Sequence, residues 1–227
     1  MLERVAAAAH NNARWCDLVC RAHGIPTRTS EAYWAALRAV PPLYPDAVTL
    51  SPRADRRELL ATLWGRVGVA VKDSFATLDL DRQGFRLLFE AQWLWMGACG
   101  AGAPDAGLLS VLDSEQELRA WARAAALTET LLPAVLQAPE VRVLAVRGHG
   151  GVRAGALLNR SGGLVGVTNA FASELPLERL WSAIAAQAAR LFPGSPLVGY
   201  ERGEHLRAAR RAGFLTLGAL RVWSAAA

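Results

Sequence analysis

Two periods of apolar and polar positions run along this chain, and the switches between them outline its elements. Over residues 2–23, Val5, Ala8, Ala9, Trp15, Leu18 and Val19 recur at helical spacing until Gly24-Ile25-Pro26 stops the run. Asn11 and Asn12 interrupt that spacing, which predicts a frayed leader followed by a helix capped by Asn12. Ser30 with Tyr33 three residues later predicts a second helix, its buried side Tyr33, Trp34 and Leu37, ended by Pro41-Pro42. Strands are expected over 47–50 and 68–73, with a helix over 56–64 capped by Asp55 between them. Strict alternation of Phe85, Leu87, Phe89, Ala91, Trp93 and Trp95 predicts a long strand over 85–96, with Glu90 and Gln92 on its other face.

The stretch 97–107 is rich in Gly and Ala and contains a Pro, so it reads as a linker between domains at 1–100 and 108–227. Beyond it the pattern predicts a strand at 108–112 and a helix from the Ser114/Glu117 capping box to about residue 127. A helix over 131–136 follows, and then strands over 141–146, 152–158 and 164–171 joined by Gly-rich hairpin turns. Pro176 opens a helix over 177–192. Leu197, Val198 and Tyr200 mark a short buried strand, and 204–212 an amphipathic helix with Leu206, Ala209 and Ala212 inward. Gly213 closes that helix and Phe214 starts a final strand ending at Trp223.

Composition narrows the function classes. Hydrophobic residues make up 52% of the 227, yet no run approaches the ~18–20 uninterrupted apolar residues of a membrane span, and the first residues lack a signal-peptide pattern. A cytoplasmic protein with no membrane partner is expected. The net charge of +5 comes from scattered arginines with no polybasic block, so no nucleic-acid partner is expected either. Cys16, Cys20 and Cys99 supply no disulfide framework. Cys16 and Cys20, with His10 and His23 nearby, match no zinc spacing, and no metal is expected.

The order strand, two helices, three-stranded meander, helix, strand, helix, strand over 108–223, together with the Gly213-Phe214 ending, resembles the GNAT acyltransferase domain. The resemblance implies an α/β fold, a mixed central sheet flanked by helices, complete in the C-terminal half. The N-terminal half resembles a degenerate copy of the same domain. Its Gly84-Phe85 through Trp93 echoes Gly213-Phe214 through Trp223, and its Leu59 through Trp64 echoes Leu180 through Ile184.

That resemblance implies an acyl-coenzyme A dependent N-acyltransferase acting on a small amine-like substrate, with acetyl-CoA or another acyl-CoA as cofactor. The cofactor-binding strand corresponds to Val167, Thr168, Asn169, Ala170 and Phe171. The family's Gly-rich phosphate loop is replaced by Ala172-Ser-Glu-Leu-Pro-Leu-Glu-Arg179, which has no glycine and brings Glu174 and Glu178 to the phosphate end. Many members place a tyrosine acid where this chain has Ala209. Weak cofactor binding is therefore expected. The alternative is a non-catalytic GNAT-fold binding or scaffold protein, with Trp93 and Trp95 as a homodimer contact.

For catalysis the sequence offers Tyr200 and Glu201 at the end of the penultimate strand, as acid and base, and Glu90, a carboxylate on a strand between packed faces. Tyr200 can equally pack, and Glu201 can simply begin the next helix. Lys72, Asp73 and Ser74 hold the matching place in the first half as candidate substrate residues. Lys72 is the chain's only lysine, and a structural ion pair with Asp73 is the plainer reading. His149 and His205 read as surface residues.

Overall fold

In the computed structural model, which describes residues 1–98 and 107–225, the two sequence periods become eleven strands and five α-helices among the described residues. Residues 1–93 together with the chain's end from Leu217 form one compact unit, and residues 94–216 form the other. Most of the stretch read as a linker, Cys99 included, lies outside the described residues.

The first unit opens with α1 (Leu2–Ala22), continuous through Asn11 and Asn12. The expected break at Asn12 does not occur. Both asparagines are buried, and Asn12 Oδ1 accepts from the Lys72 ammonium at 2.8 Å, so the amide serves a buried cation instead of a helix end. The helix expected after Ser30 is also replaced, by a hairpin of β1 (Thr27–Thr29) and β2 (Tyr33–Ala36). Ser30 Oγ accepts from the amides of Ala32 and Tyr33, the bonds of a helix cap used here to close a turn. All four residues of β2 are buried, which a strand inside a sheet achieves and a one-faced helix would not.

β2 pairs antiparallel with β3 (Ala47–Thr49), and β3 pairs parallel with β4 (Ala70–Asp73). Helix α2 (Arg56–Thr62) crosses between them, its N-terminus capped by the Asp55 carboxylate accepting from the Arg57 amide. β5 (Phe85–Met96) follows a 3₁₀ turn at Asp81–Gln83. On its far edge β4 pairs antiparallel with the chain's last strand, β11 (Leu215–Ala225), from Arg221 against Asp73 to Ser224 against Ala70. Tyr33, Leu59, Val71, Leu80, Phe85 and Trp223 form the core of this unit.

The second unit is a meander. β6 (Ser110–Leu112), β7 (Val141–Gly148), β8 (Gly151–Ser161) and β9 (Leu164–Ala172) pair antiparallel in sequence order. Helix α3 (Glu115–Ala124) lies between β6 and β7, with Ser114 Oγ accepting from the Glu117 amide. The segment read as a helix over 131–136 is a 3₁₀ turn, Pro133–Gln137. Helix α4 (Leu177–Leu191) then carries the chain over to β10 (Leu197–Glu201), parallel to β9, and α5 (Gly203–Arg211) follows. Leu180, Trp181, Ile184, Val165, Leu197 and Phe214 are central to the core, where Trp181 meets Phe214 edge to face at 5.2 Å between ring centroids. Gly213, at φ +99°, makes the left-handed exit from α5 expected of it.

Candidate functional site

The site candidates of the second unit gather where β9 and β10 part. Their parallel ladder consists of two pairs, Leu197 with Val165 and Val198 with Gly166, after which β9 continues to Ala172 and β10 to Glu201 without a further pair between them. At the parting point a Cβ on Gly199 would stand 2.9 Å from the Val167 carbonyl oxygen, closer than real Cβ atoms come, so glycine is what allows the backbones to separate from so close an approach. On its other edge β9 is irregular. The β8 register jumps from Gly155 facing Phe171 to Leu157 facing Thr168, and Asn169 takes φ +53° inside that bulge. A bulge re-aims the backbone and side chains of its strand. Asparagine is among the residues that tolerate the left-handed region best.

Of the expected cofactor strand, Val167 is buried and Thr168, Asn169, Ala170 and Phe171 are half-buried. Phe171 meets the buried Trp121 indole edge on at 5.2 Å, which fixes its ring. Trp121 Nε1 donates to the Leu144 carbonyl.

Tyr200 and Glu201 both lie beyond the last β9 pair and are both half-buried. As successive strand residues they point to opposite sides of the sheet, so they do not act as an adjacent pair on one side. Burial pushes the Glu201 carboxyl up to about 8, opposed by a bond from the Arg202 amide and by the Arg202 charge. His205, read as a surface residue, is half-buried in α5, its ring edge-on to Trp181 at 6.4 Å. Its Nδ1 and the Trp181 indole nitrogen are both buried without a hydrogen-bond partner, and desolvation lowers the His205 pKa, favouring the neutral ring.

The loop from β9 to α4 has other anchors than glycine. The Ser173 amide and hydroxyl both donate to the Arg153 carbonyl, and the Arg153 guanidinium pairs with Glu174. Glu178, in the first turn of α4, stands 3.8 Å from the Arg211 guanidinium. Both carboxylates expected to repel an anion are thus partnered by arginine. Helix α4 begins at Pro176 with no side-chain cap, leaving its first amides without one. Ala209, at the place of the family's tyrosine, is fully buried in the core.

The remaining candidates belong to the first unit. Lys72 is 3% exposed and Asp73 and Ser74 are fully buried. Lys72 reaches Asn12, while Asp73 accepts from the amides of Leu78 and Phe75, and burial raises its carboxyl pKa. The Ser74 amide donates to Thr49 Oγ1 at 2.8 Å and its carbonyl accepts from the Trp93 indole at 2.7 Å. Glu90 forms an ion pair with Arg221 at 3.2 Å on a half-exposed surface. Of the two tryptophans of the homodimer reading, Trp93 is 1% exposed and Trp95 is half-buried.

Sequence reasoning passed over Gly199, the Asn169 bulge and the arginines that answer Glu174 and Glu178. Gly199 had a signal, a lone glycine inside an apolar strand run. The arginine contacts depend on chain segments brought together only by folding.

No family model matches the sequence, and no curated protein matches it. Among solved structures, a GCN5-related N-acetyltransferase from Kribbella flavida superposes with a TM-score of 0.70 at 18% identity, covering 99% of this chain and 95% of that one. The chain has the GNAT fold. A GNAT-family protein from Novosphingobium aromaticivorans superposes with a TM-score of 0.57 at 19% identity, over 92% of this chain and 97% of that one. A GCN5-related N-acetyltransferase-like protein from Streptococcus suis gives 0.54 at 15% identity, over 86% of this chain and 84% of that one. Among the described residues no helix is long and apolar enough to cross a membrane, and no three His, Cys, Asp or Glu residues gather as a metal site.

Proposed function

We propose that the chain is an acyl-CoA dependent N-acyltransferase of GNAT type, acting on a small amine-like substrate through its second unit. The observation that carries this reading is the ladder between β9 and β10, which ends after two pairs beside Gly199. Beyond that point neither strand pairs with the other, so backbone groups of β9 face an opening in which an extended, amide-bearing arm can add as a strand would. Val167, Thr168, Asn169, Ala170 and Phe171 would hold that arm. Acyl-CoA supplies an acyl group activated as a thioester. Glu201 serves as the base that takes the proton from the incoming amine, its raised pKa matching a proton acceptor near neutral pH. Tyr200 stands at the same strand end on the opposite side of the sheet, and in this scheme it is the acid on the thioester side while Glu201 serves the amine side. Glu90, Lys72 and Asp73 have structural roles in this reading, because each of their charged groups is already committed within the first unit, and so does Ser74, which is fully buried with its amide and carbonyl bonded to Thr49 and Trp93.

The same reading takes the chain as two copies of one unit. The order α1, β1, β2, β3, α2, β4, β5 repeats as α3, β7, β8, β9, α4, β10, β11 with α5 added. In both, the parallel pair flanking the crossover helix is two residues long. We place the protein in the cytoplasm, consistent with Cys16 and Cys20 as buried free thiols.

The glycine-free loop 172–176 favours a second reading, a binding protein that kept the fold without the chemistry. Calorimetric titration with acetyl-CoA, followed by release of free thiol in the presence of a panel of small amines, separates the two. Binding with amine-dependent thiol release supports the transferase. Binding without release from any amine supports the second reading, and absence of binding removes the first.

A further inference from the structure

Arg207, Arg210 and Arg211 line a surface cavity of about 350 Å³. Their spacing of three and four residues puts them on one face of α5. Arg207 is bridged to Glu204 on its own helix, and Arg211 reaches Glu178 in the first turn of α4. Arg210 has no side-chain partner among the described residues. Three guanidinium groups therefore meet two carboxylates, and the cavity keeps a positive balance beside the very turn where the loop lacks the glycines of an amide cradle.

Resting on the acyltransferase reading, we infer that this cavity is a phosphate site: the arginines of α5 hold the phosphate groups of the cofactor, in place of the amides of a glycine-rich loop. A guanidinium presents a planar fork of donors that matches phosphate oxygens two at a time, so side chains can supply the charge-assisted bonds that a glycine-free loop withholds. Phosphate bound there draws Arg211 away from Glu178, a contact already long at 3.8 Å. It also gives Arg210 an anion that no side chain among the described residues supplies. The position of Arg210 and Arg211 in the last turn of α5 favours cations through the helix dipole as well, so stability alone does not report the role.

The test compares Arg210→Gln and the Arg210→Gln/Arg211→Gln pair with the unmodified protein by calorimetry, using acetyl-CoA and S-acetylpantetheine, which has the same arm and no phosphate. The expected result is a loss of acetyl-CoA affinity of about tenfold for the single variant and more for the pair, with S-acetylpantetheine binding unchanged. Inorganic pyrophosphate should compete with acetyl-CoA on the unmodified protein and much less on the pair. Equal acetyl-CoA affinity in all three proteins overturns the phosphate site and leaves the acyltransferase reading intact. If neither ligand binds the unmodified protein, the acyltransferase reading falls and this inference with it. Equal losses for both ligands overturn the inference too, because they report damage to the strand opening and not to a phosphate contact. All three side chains are exposed, so the substitutions leave the core untouched.

Discussion

The two parallel strand pairs, β3 with β4 and β9 with β10, start alike and end differently. Each ladder is two residues long. By register Val167 stands where Thr49 stands and Tyr200 where Ser74 stands. In the first unit the Thr49 hydroxyl accepts from the Ser74 amide and the Trp93 indole donates to its carbonyl, so side chains of the unit take the backbone groups where the ladder stops. In the second unit the corresponding Val167 has no hydroxyl to do so, and Gly199 clears the approach. One pair is closed by its own side chains, and the other has no such closure at Val167. The difference comes down to a few residue identities on one topology, and that is why fold alone does not decide function.

The largest effect expected from this contrast is catalytic. Glu201→Gln should lower kcat/KM by about 10²- to 10⁴-fold in a thiol-release assay, the usual range for removing a general base. Removing the charge of a buried carboxyl in the first unit, Asp73→Asn, should leave kcat/KM within a few fold while lowering stability, because Asp73 receives amides of its own loop. A similar kinetic loss from both variants would break the comparison.

Ligand stoichiometry sharpens it next. Calorimetry should return one acyl-CoA per chain, and two would mean that the closed pair opens. Exchanging the deciding residues should move the property: Val167→Thr should weaken acyl-CoA binding by about tenfold, the loss of one good contact. Thr49→Val should cost about 1–3 kcal/mol in urea unfolding, because the buried Ser74 amide loses its acceptor.

Stability against pH gives a third measure, and its sign follows from burial. Glu201 has its carboxyl pKa raised from 4.5 to about 8, so between those values the folded protein holds a proton that the unfolded chain has lost. Stability is therefore favoured below about pH 4.5 and falls as pH rises toward about 8. Asp73 and Asp46 are shifted up by burial in the same direction, so Glu201→Gln should flatten this decline in part, not abolish it. Activity should run the other way and rise through pH 8, since a base must be deprotonated. A decline identical in the variant would remove Glu201 as the buried acid.

Most of the fold was legible because its elements carry clean periods and punctuation: the Phe85–Met96 alternation, the Ser114 cap, the hairpin turns around β8 and the Gly213 exit all appear where the pattern puts them. The misreadings have a common origin. Ser30 and Asn12 offer side-chain groups that cap helices in isolation, and tertiary structure assigns them elsewhere, Ser30 to a hairpin turn and Asn12 to the buried Lys72. The layout of the candidate site was legible where strand position locates its residues, at Val167 to Phe171 and at Glu201. It was illegible at Gly199, whose role depends on the Val167 carbonyl opposite, and at Arg211, whose partner Glu178 is on another helix.

The smallest expected effect concerns the helices that follow β3 and β9. Helix α2 is capped by Asp55, which satisfies the Arg57 amide at 2.7 Å, whereas α4 starts at Pro176 with no side-chain acceptor. A cap takes an amide that an anion would otherwise meet, so the capped helix belongs with the closed pair and the uncapped one with the open pair. Asp55→Ala should cost about 0.5–2 kcal/mol of stability and leave acyl-CoA binding unchanged, as read by urea unfolding and calorimetry. Pro176→Asp should do the reverse, holding or slightly raising stability while weakening acyl-CoA, because the new carboxylate occupies the first amides and adds negative charge beside the phosphates. If Pro176→Asp leaves acyl-CoA affinity unchanged, the start of α4 takes no part in binding, and the contrast between the units rests on the strand openings and the α5 arginines alone.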